Sequence, residues 1–259
     1  MKILVCVKQV PEAEAQISIG DTGDWVSVGG ASEYRMNRYD ACAVEEAIQI
    51  KEAYPDTIID VTTMGPERAE TVVRRAMGMG VDSGAHILTV EDGYVDAFAT
   101  ARAIAAYARD RHYDLILTGA MSEDLMQGQV GQIVAAHLGV ACISNTIHAE
   151  LAADGKTMYV EREMEGGSRE VGDIRLPALL TIQTGINTPR YPALSKLLRA
   201  NNQELALVAT SDSADASIPQ KLVGVALPEK TRDAFFLEGS TSEKAEQLVN
   251  ILKERSLIS

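Results

Sequence analysis

Asp114-Leu115-Ile116-Leu117-Thr118-Gly119-Ala120-Met121-Ser122-Glu123-Asp124-Leu125-Met126-Gln127-Gly128-Gln129-Val130-Gly131 reads as a strand, a loop of small and polar residues, and the start of a helix that continues through Leu138. Consecutive aliphatic residues suit a strand buried on both faces of a parallel sheet. Backbone amides and the positive end of the helix dipole at such a junction can hold a phosphate, and glycine lets a ligand come close to the main chain. In open parallel sheets ligands bind at the carboxyl ends of strands, where this loop falls. Taken alone, the segment reads equally well as a glycine-punctuated connection.

The same alternation extends through the first 145 residues. Short β-branched runs at Ile3–Val7, Ile58–Thr63, Ala85–Val90 and Asp114–Thr118 read as buried strands, and helical periodicity fills the gaps. Asp40–Lys51 carries Ala43, Ala47 and Ile48 on one side. Pro66–Met79 starts with proline just after a strand and has Val72, Val73, Ala76 and Met77 as its apolar stripe. Val95–Arg109 is rich in alanine and basic near its end, as a helix C-terminus favours. Alternating βα units of this length predict right-handed crossovers and an α/β, Rossmann-like parallel sheet. Gln16–Val28, with Gly20-Asp21-Thr22-Gly23-Asp24 at its middle, reads as a hairpin inserted after the first strand.

After Ser144 the pattern changes. A hairpin turning at Asp154-Gly155 joins Ile147–Leu151 to Thr157–Glu163, and Arg169–Asp173 and Ala178–Thr181 follow as strands. A short helical piece is expected at Ser195–Arg199, a loop or linker at Ala209–Pro219, and one amphipathic helix at Ser242–Arg255. The expected division is an α/β domain over 1–205, with a loop at 183–203, and a linker and C-terminal arm over 206–259. The arm holds too little apolar material for a core of its own, so it is expected to pack on its own first domain or on a partner chain.

Composition narrows the function classes. The chain has 259 residues, with 24 Lys+Arg against 37 Asp+Glu and a formal charge of −13. It is long enough to bury about three quarters of its unfolded surface. The acidic balance argues against nucleic-acid or anionic-membrane binding, and no apolar run approaches the ~20 residues that span a bilayer. Ile3–Val7 between Lys2 and Lys8 is too short for a signal-peptide core. Cys6, Cys42 and Cys142 lack CxxC spacing and sit among apolar or small residues, which predicts reduced, buried thiols and a cytosolic or organelle-matrix location.

Little in the chain points to bond-making chemistry. No GxGxxG follows the first strand and no GxxxxGK[ST] occurs. Gly78-Met79-Gly80-Val81-Asp82 follows a helix and reads as a C-cap and turn. His86, His112, His137 and His148 are scattered without metal-ligand spacing. Glu161-Arg162-Glu163 alternates charge along a strand, which marks a solvated face. By contrast, Thr184–Gln203 contains Arg190, Lys196 and Arg199 and no acid. With Tyr191, Leu194 and Leu197 beside two prolines, it reads either as a docking surface or as a loop folded over its own domain.

Taken in order, these segments resemble the β subunit of electron transfer flavoprotein. The likeness rests on Val5-Cys6-Val7-Lys8-Gln9-Val10-Pro11, on Met36-Asn37 with Ala43-Val44-Glu45-Glu46-Ala47, and on Met64-Gly65-Pro66 with Arg74 and Met79-Gly80-Val81-Asp82. It continues in Val160–Gly167, Leu176-Pro177-Ala178 and Asn187-Thr188-Pro189-Arg190-Tyr191-Pro192-Ala193-Leu194. The resemblance implies a sheet of the adenine-nucleotide α-hydrolase-like kind and a heterodimer with an α subunit. It also implies an FAD near the subunit interface held mostly by α, and an AMP buried in β. AMP contacts carried over from the family fall on Cys6, Asn37, Asp40, Met64, Gly119, Asp124, Gln129, Val130 and Gly131. The recognition loop carries over as Arg190, Tyr191, Leu194 and Lys196, with Leu194 as the leucine inserted into a flavin dehydrogenase such as an acyl-CoA dehydrogenase. The resemblance implies an electron carrier that docks rather than a catalyst of bond chemistry, with an ETF-quinone oxidoreductase as one acceptor.

The sequence departs from the family at Leu125-Met126, at Ala13 where some members have an aromatic, at Gly172, and at Ser195 where proline is common. Inside the family the alternative is an electron-bifurcating form, in which the β site holds a second FAD and NADH delivers electrons. Outside it, a universal-stress-type nucleotide sensor could use the same sheet. An ATP-cleaving ligase of related fold would carry an SGGxDS-like loop after the first strand, and Lys8-Gln9-Val10-Pro11-Glu12 is not one.

Overall fold

The structure, a computed structural model, describes residues 1–20, 23, 25–29, 34–89, 93–209, 222–228 and 235–258. Its elements in chain order are β1 (Lys2–Cys6), β2 (Gln9–Pro11), β3 (Ile17–Ile19), β4 (Val26–Val28), β5 (Tyr34–Met36), α1 (Arg38–Ala53), β6 (Ile58–Gly65), α2 (Glu70–Met79) and β7 (Ser83–Leu88). They continue with α3 (Ala97–Ala108), β8 (Leu115–Gly119), α4 (Val130–Leu138), β9 (Ala141–Leu151), β10 (Thr157–Glu163), β11 (Arg169–Arg175), β12 (Ala178–Ile182), α5 (Leu194–Asn202), β13 (Ala206–Ala209) and α6 (Thr241–Glu254).

One nine-stranded sheet, in the order β11-β10-β9-β12-β8-β1-β6-β7-β13, forms the frame. From β9 to β13 all neighbours are parallel, and β10 and β11 add an antiparallel flap. Both faces of its inner strands β1, β6, β7, β8 and β12 are covered, as their aliphatic runs require. Alternation along β1 sends Ile3 and Val5 into a core with α1 and α2, and Leu4 and Cys6 into a core with α3 and α4. Fully burying an aliphatic side chain of this kind contributes about 1.5–3 kcal/mol. After β1 the chain winds outward through β6 and β7, whereas β8 and β12 lie on the other side of β1. The winding reverses between β1 and β8, and the crevice at a doubly wound sheet's ligand-binding edge opens at such a point.

The expected strands and helices are present, with boundary shifts. The helix expected at Pro66–Met79 begins as a 3-10 turn at Glu67–Ala69 before α2. Asp96 caps α3 by accepting from the Phe98 and Ala99 amides, which starts that helix at Ala97. The inserted hairpin pairs β3 with β4, although Asp21, Thr22 and Asp24 of its turn lie outside the described residues, as does Val90. Of the expected linker Ala209–Pro219, only Ala209 is described.

The expected boundary at 205/206 falls immediately before β13, which pairs with β7 from Ala206 to Ala209 as an edge of the sheet. The compact units are Met1–Val225 and Ala226–Ser259. The second carries α6, closed by a capping box in which Ser240 accepts from the Glu243 amide and Glu243 accepts from the Ser240 amide. No residue of α6 is buried. Cys6 and Cys42 are buried free thiols, as expected, but Cys142 is exposed. It lies at the start of β9, where Ala141 and Cys142 are exposed and Ile143 to Asn145 are half-buried.

Candidate functional site

At the carboxyl ends of β1, β6 and β8 lies a cleft of about 1990 Å³. Cys6, Asn37, Asp40, Met64, Gly119, Asp124, Gln129, Val130 and Gly131, from four separate stretches of sequence, all line it. The parallel sheet brings them together, because each βα loop leaves the same edge.

Asp40, in the first turn of α1, spans the point where the sheet reverses. One carboxyl oxygen accepts from the Lys8 amide at 2.7 Å and the other from the Gly119 amide at 3.0 Å, so a single side chain ties the ends of β1 and β8. Burial raises the Asp40 carboxyl to about 7, against the opposing pull of hydrogen bonds from Lys8, Asn37 and Gly119 and of the Lys8 charge. Burial, reinforced by Asp40, also pushes the Cys6 thiol up, which keeps it protonated. Gly119 is required by this contact: a β-carbon there would fall on Asp40 Oδ1 and within 2.7 Å of Tyr39 Cβ.

Asn37 precedes α1 at the cap position, but its side chain makes no cap hydrogen bond. It reaches instead across to the β8–α4 loop, donating to the Met121 carbonyl at 2.9 Å and accepting from the Glu123 amide at 3.2 Å. It is 1% exposed, so this loop is held by a buried amide whose nitrogen and oxygen both have partners. The loop's acids are matched: Lys8 donates to both Asp124 oxygens at 2.6–2.7 Å, and Glu123 pairs with Arg35 at 2.9 Å and Arg38 at 3.4 Å. The first turn of α4 has no acidic residue, and its opening amides have no intrahelical acceptor. Gln129 Oε1 is buried without a protein partner.

The two glycines of that helix start differ from the open-backbone expectation. Gly128 takes φ +59° and supplies the turn, whereas Gly131 is a packing residue. A β-carbon on Gly131 would stand 2.7 Å from both Thr118 Oγ1 and Thr181 Cγ2, so its role is to seat α4 against β8 and β12. Sequence reasoning passed over Lys8 as a site residue, although a lysine directly after the apolar run of β1 was a visible signal. It also passed over Trp25 and Tyr94, which line the cleft with ring centroids 5.3 Å apart. Their meeting depends on the inserted hairpin folding toward the β7–α3 connection, which no local pattern encodes.

The sequence model of the electron transfer flavoprotein domain matches residues 24–215. The chain is 33% identical over 264 residues, covering the full length of both chains, to the electron transfer flavoprotein subunit beta of Bacillus subtilis. It is 34% identical over 253 residues, 98% of this chain and 96% of the other, to that of Syntrophomonas wolfei. The chain belongs to the electron transfer flavoprotein β-subunit family. A further relative, 31% identical over 267 residues and the full length of both chains, is the caffeyl-CoA reductase-Etf complex subunit CarD of Acetobacterium woodii.

Within that family frame the 183–203 segment takes a defined shape. Tyr191 is 89% and Leu194 73% exposed, and Lys196 and Arg199 are exposed with them. Leu197, expected beside them, turns inward: a β-carbon on Gly78 of α2 would stand 2.7 Å from its Cδ2. Arg190, expected as part of an outward positive patch, is compensated by Glu45 at 2.8 Å and Glu52 at 2.6 Å, both on α1. The basic island is therefore narrower than composition predicts, because acids more than a hundred residues earlier fold against it. Two family departures also find their places. Ala13 lines the cleft, and Gly172 sits on β11 in open space. Arg162 pairs with Glu170 and Arg169 with Glu161 across the flap, as a solvated strand face requires. Among the described residues no helix is long and apolar enough to cross a membrane.

Proposed function

We propose that this chain is the β subunit of a heterodimeric electron transfer flavoprotein. In this reading it holds AMP in the cleft and shares an FAD with an α subunit. It relays electrons from a flavin dehydrogenase, such as an acyl-CoA dehydrogenase, to a soluble acceptor or a membrane-bound ETF-quinone oxidoreductase. The observation that carries the reading is the convergence of nine residues from separate stretches on one cleft at the sheet's reversal point.

The residues suit an adenine nucleotide. The α4 N-terminus offers amides and dipole to a phosphate, and no acid of its first turn opposes the charge. Asp124 and Glu123 are neutralised by Lys8, Arg35 and Arg38, and burial favours the uncharged form of Asp40. Gln129 Oε1 is a buried acceptor that a nucleotide hydroxyl or amine can satisfy. The FAD, when bound, supplies the redox chemistry. This chain's part is to hold the nucleotide, shape the flavin's surroundings, and present Tyr191, Leu194 and Lys196 for docking, while its C-terminal arm packs on the α subunit.

A second reading is favoured by the cleft's size, since small-ligand pockets run to about 300–1,000 Å³, and by the relative named as part of a caffeyl-CoA reductase-Etf complex. It is the bifurcating form, with a second FAD in the β site and NADH as donor. Extraction of nucleotides from co-expressed α and β subunits tests both. One FAD and one AMP per heterodimer supports the carrier, two FAD support the bifurcating form, and absence of any adenine nucleotide from the β cleft overturns both.

A further inference from the structure

The segment from Asn187 to Gln203 is exposed on one side yet bound to the domain at both ends. At its start, Asn187 donates to Glu46 at 2.9 Å and to the Cys42 carbonyl at 3.1 Å. Arg190 then meets Glu45 three times, through its amide at 3.1 Å, its Nε at 2.9 Å and its Nη2 at 2.8 Å. The same guanidinium reaches both oxygens of Glu52, at 2.6 and 3.1 Å. At the far end, Arg74 of α2 donates to the Ala200 and Gln203 carbonyls, both at 2.6 Å, closing the C-terminus of α5.

These holds differ in strength. The Glu45 side chain is 4% exposed and that of Glu52 is 59% exposed. Burial alone would raise the Glu45 carboxyl, yet hydrogen bonds from Arg190 and Gln49 hold it below the ordinary range. A planar guanidinium can satisfy two carboxylates at once, which a lysine ammonium cannot do in the same geometry. Leu194 follows Arg190 by four residues and opens α5, so the Arg190 contacts fix the chain immediately before the helix start.

We infer that Glu45, with Glu52, is a positioning clamp: through Arg190 it fixes the exposed Tyr191–Leu194 face against α1, so that the docking element is pre-organised before a partner arrives. The inference rests on the docking role proposed above for Leu194. Pre-organisation lowers the ordering cost of association and acts on affinity more than on the electron-transfer step.

The test uses the co-expressed heterodimer with amide hydrogen exchange as the primary readout. Glu45→Gln should speed exchange at amides of residues 187–198 at least tenfold, with β1 and α4 unchanged. Arg190→Lys should do the same, and Glu52→Gln, on the exposed side, should give a smaller increase in the same residues. Unchanged exchange there, or an increase spread evenly over the sheet, overturns the clamp. With a reduced acyl-CoA dehydrogenase as probe, Glu45→Gln should raise KM severalfold at constant kcat, and a fall in kcat at constant KM also overturns it. Leu194→Ala separates the two ideas. If it leaves KM unchanged, the docking role of Leu194 fails, whereas hydrogen exchange still decides whether Glu45 fixes the loop.

Discussion

The β8–α4 and β12–α5 connections leave neighbouring parallel strands at the same edge of the sheet, and both are braced by α1. The inner one is held from the start of that helix by Asn37 and Asp40, whose side chains meet backbone groups away from water. The outer one is held from further along by Glu45, Glu46 and Glu52, through charged and side-chain contacts that reach the surface. One helix therefore shapes two loops in opposite senses. The inner loop turns its amides toward a cleft, and the outer loop turns apolar side chains toward solvent. Both loops also carry partly exposed ion pairs that salt can loosen, Lys8–Asp124 and Arg38–Glu123 on the inner one and Arg190–Glu52 on the outer, and the inner one keeps buried side-chain hydrogen bonds to its backbone from Asn37 and Asp40 when they do.

The inner hold breaks most completely at Gly119. Gly119→Ala drives a methyl onto Asp40 and Tyr39 and costs about 3 kcal/mol or more, because backbone as well as side chain must move. Chemical denaturation should show that loss, and under the proposed function nucleotide retention should fall with it. Asn37→Ala is next. It leaves the Met121 carbonyl and the Glu123 amide without their partner, an expected cost of about 2 kcal/mol. The β8–α4 loop should then gain hydrogen exchange while residues 187–198 do not, and equal gains in both would erase the distinction between the two loops.

Asp40 sharpens the comparison through pH. Its folded value of about 7 lies above its ordinary 3.8, so the native state holds the proton more tightly than the unfolded chain. The stabilisation from this group is complete below the unfolded value and is lost as pH rises toward 7, by at most about 1.4 kcal/mol per pH unit. The unfolding free energy of the wild type minus that of Asp40→Asn should therefore fall between pH 4 and 7 and level off above. A difference that is flat over that window would mean that the two backbone hydrogen bonds outweigh burial.

The inner loop was largely legible in the sequence and the outer one was not, for reasons tied to particular residues. β1, β6, β7 and β8 announce themselves because strands buried on both faces are nearly continuous aliphatic runs. Gly119 and Gly128 mark a backbone under constraint, although Gly131 was a packing residue in the same disguise. Resemblance groups Asn37 and Asp40 with the other residues that line the cleft, while their work of tying strand ends and a loop has no local pattern. The sequence around Arg190 does not decide between a docking surface and a loop folded over its own domain, because its acids lie 138 and 145 residues away in the chain. Leu197 and Leu194 look alike in sequence, and it is Leu197 that lies against Gly78 of α2 on the inward side of α5. β13 was absorbed into the expected arm because four residues at a sheet edge carry little signal without their partner strand.

Leu194→Ala should have the smallest effect on the folded chain and still be informative. The side chain is 73% exposed, so its loss should change stability by no more than about 0.5 kcal/mol and leave flavin and nucleotide content intact. A leucine held out on a braced helix start is costly unless something receives it, since exposed apolar area gains nothing from water. If it is an interface anchor, its removal should weaken docking at least tenfold, the equivalent of about 1.4 kcal/mol, read as slower flavin reduction at limiting dehydrogenase. Leu198→Ala provides the matched control, being 57% exposed one turn further along α5. A much larger effect at 194 than at 198 would locate the contact at the helix start, next to the Arg190 clamp. Equal small effects at both would make the outer loop a structural cover, held by α1 for the domain's own sake.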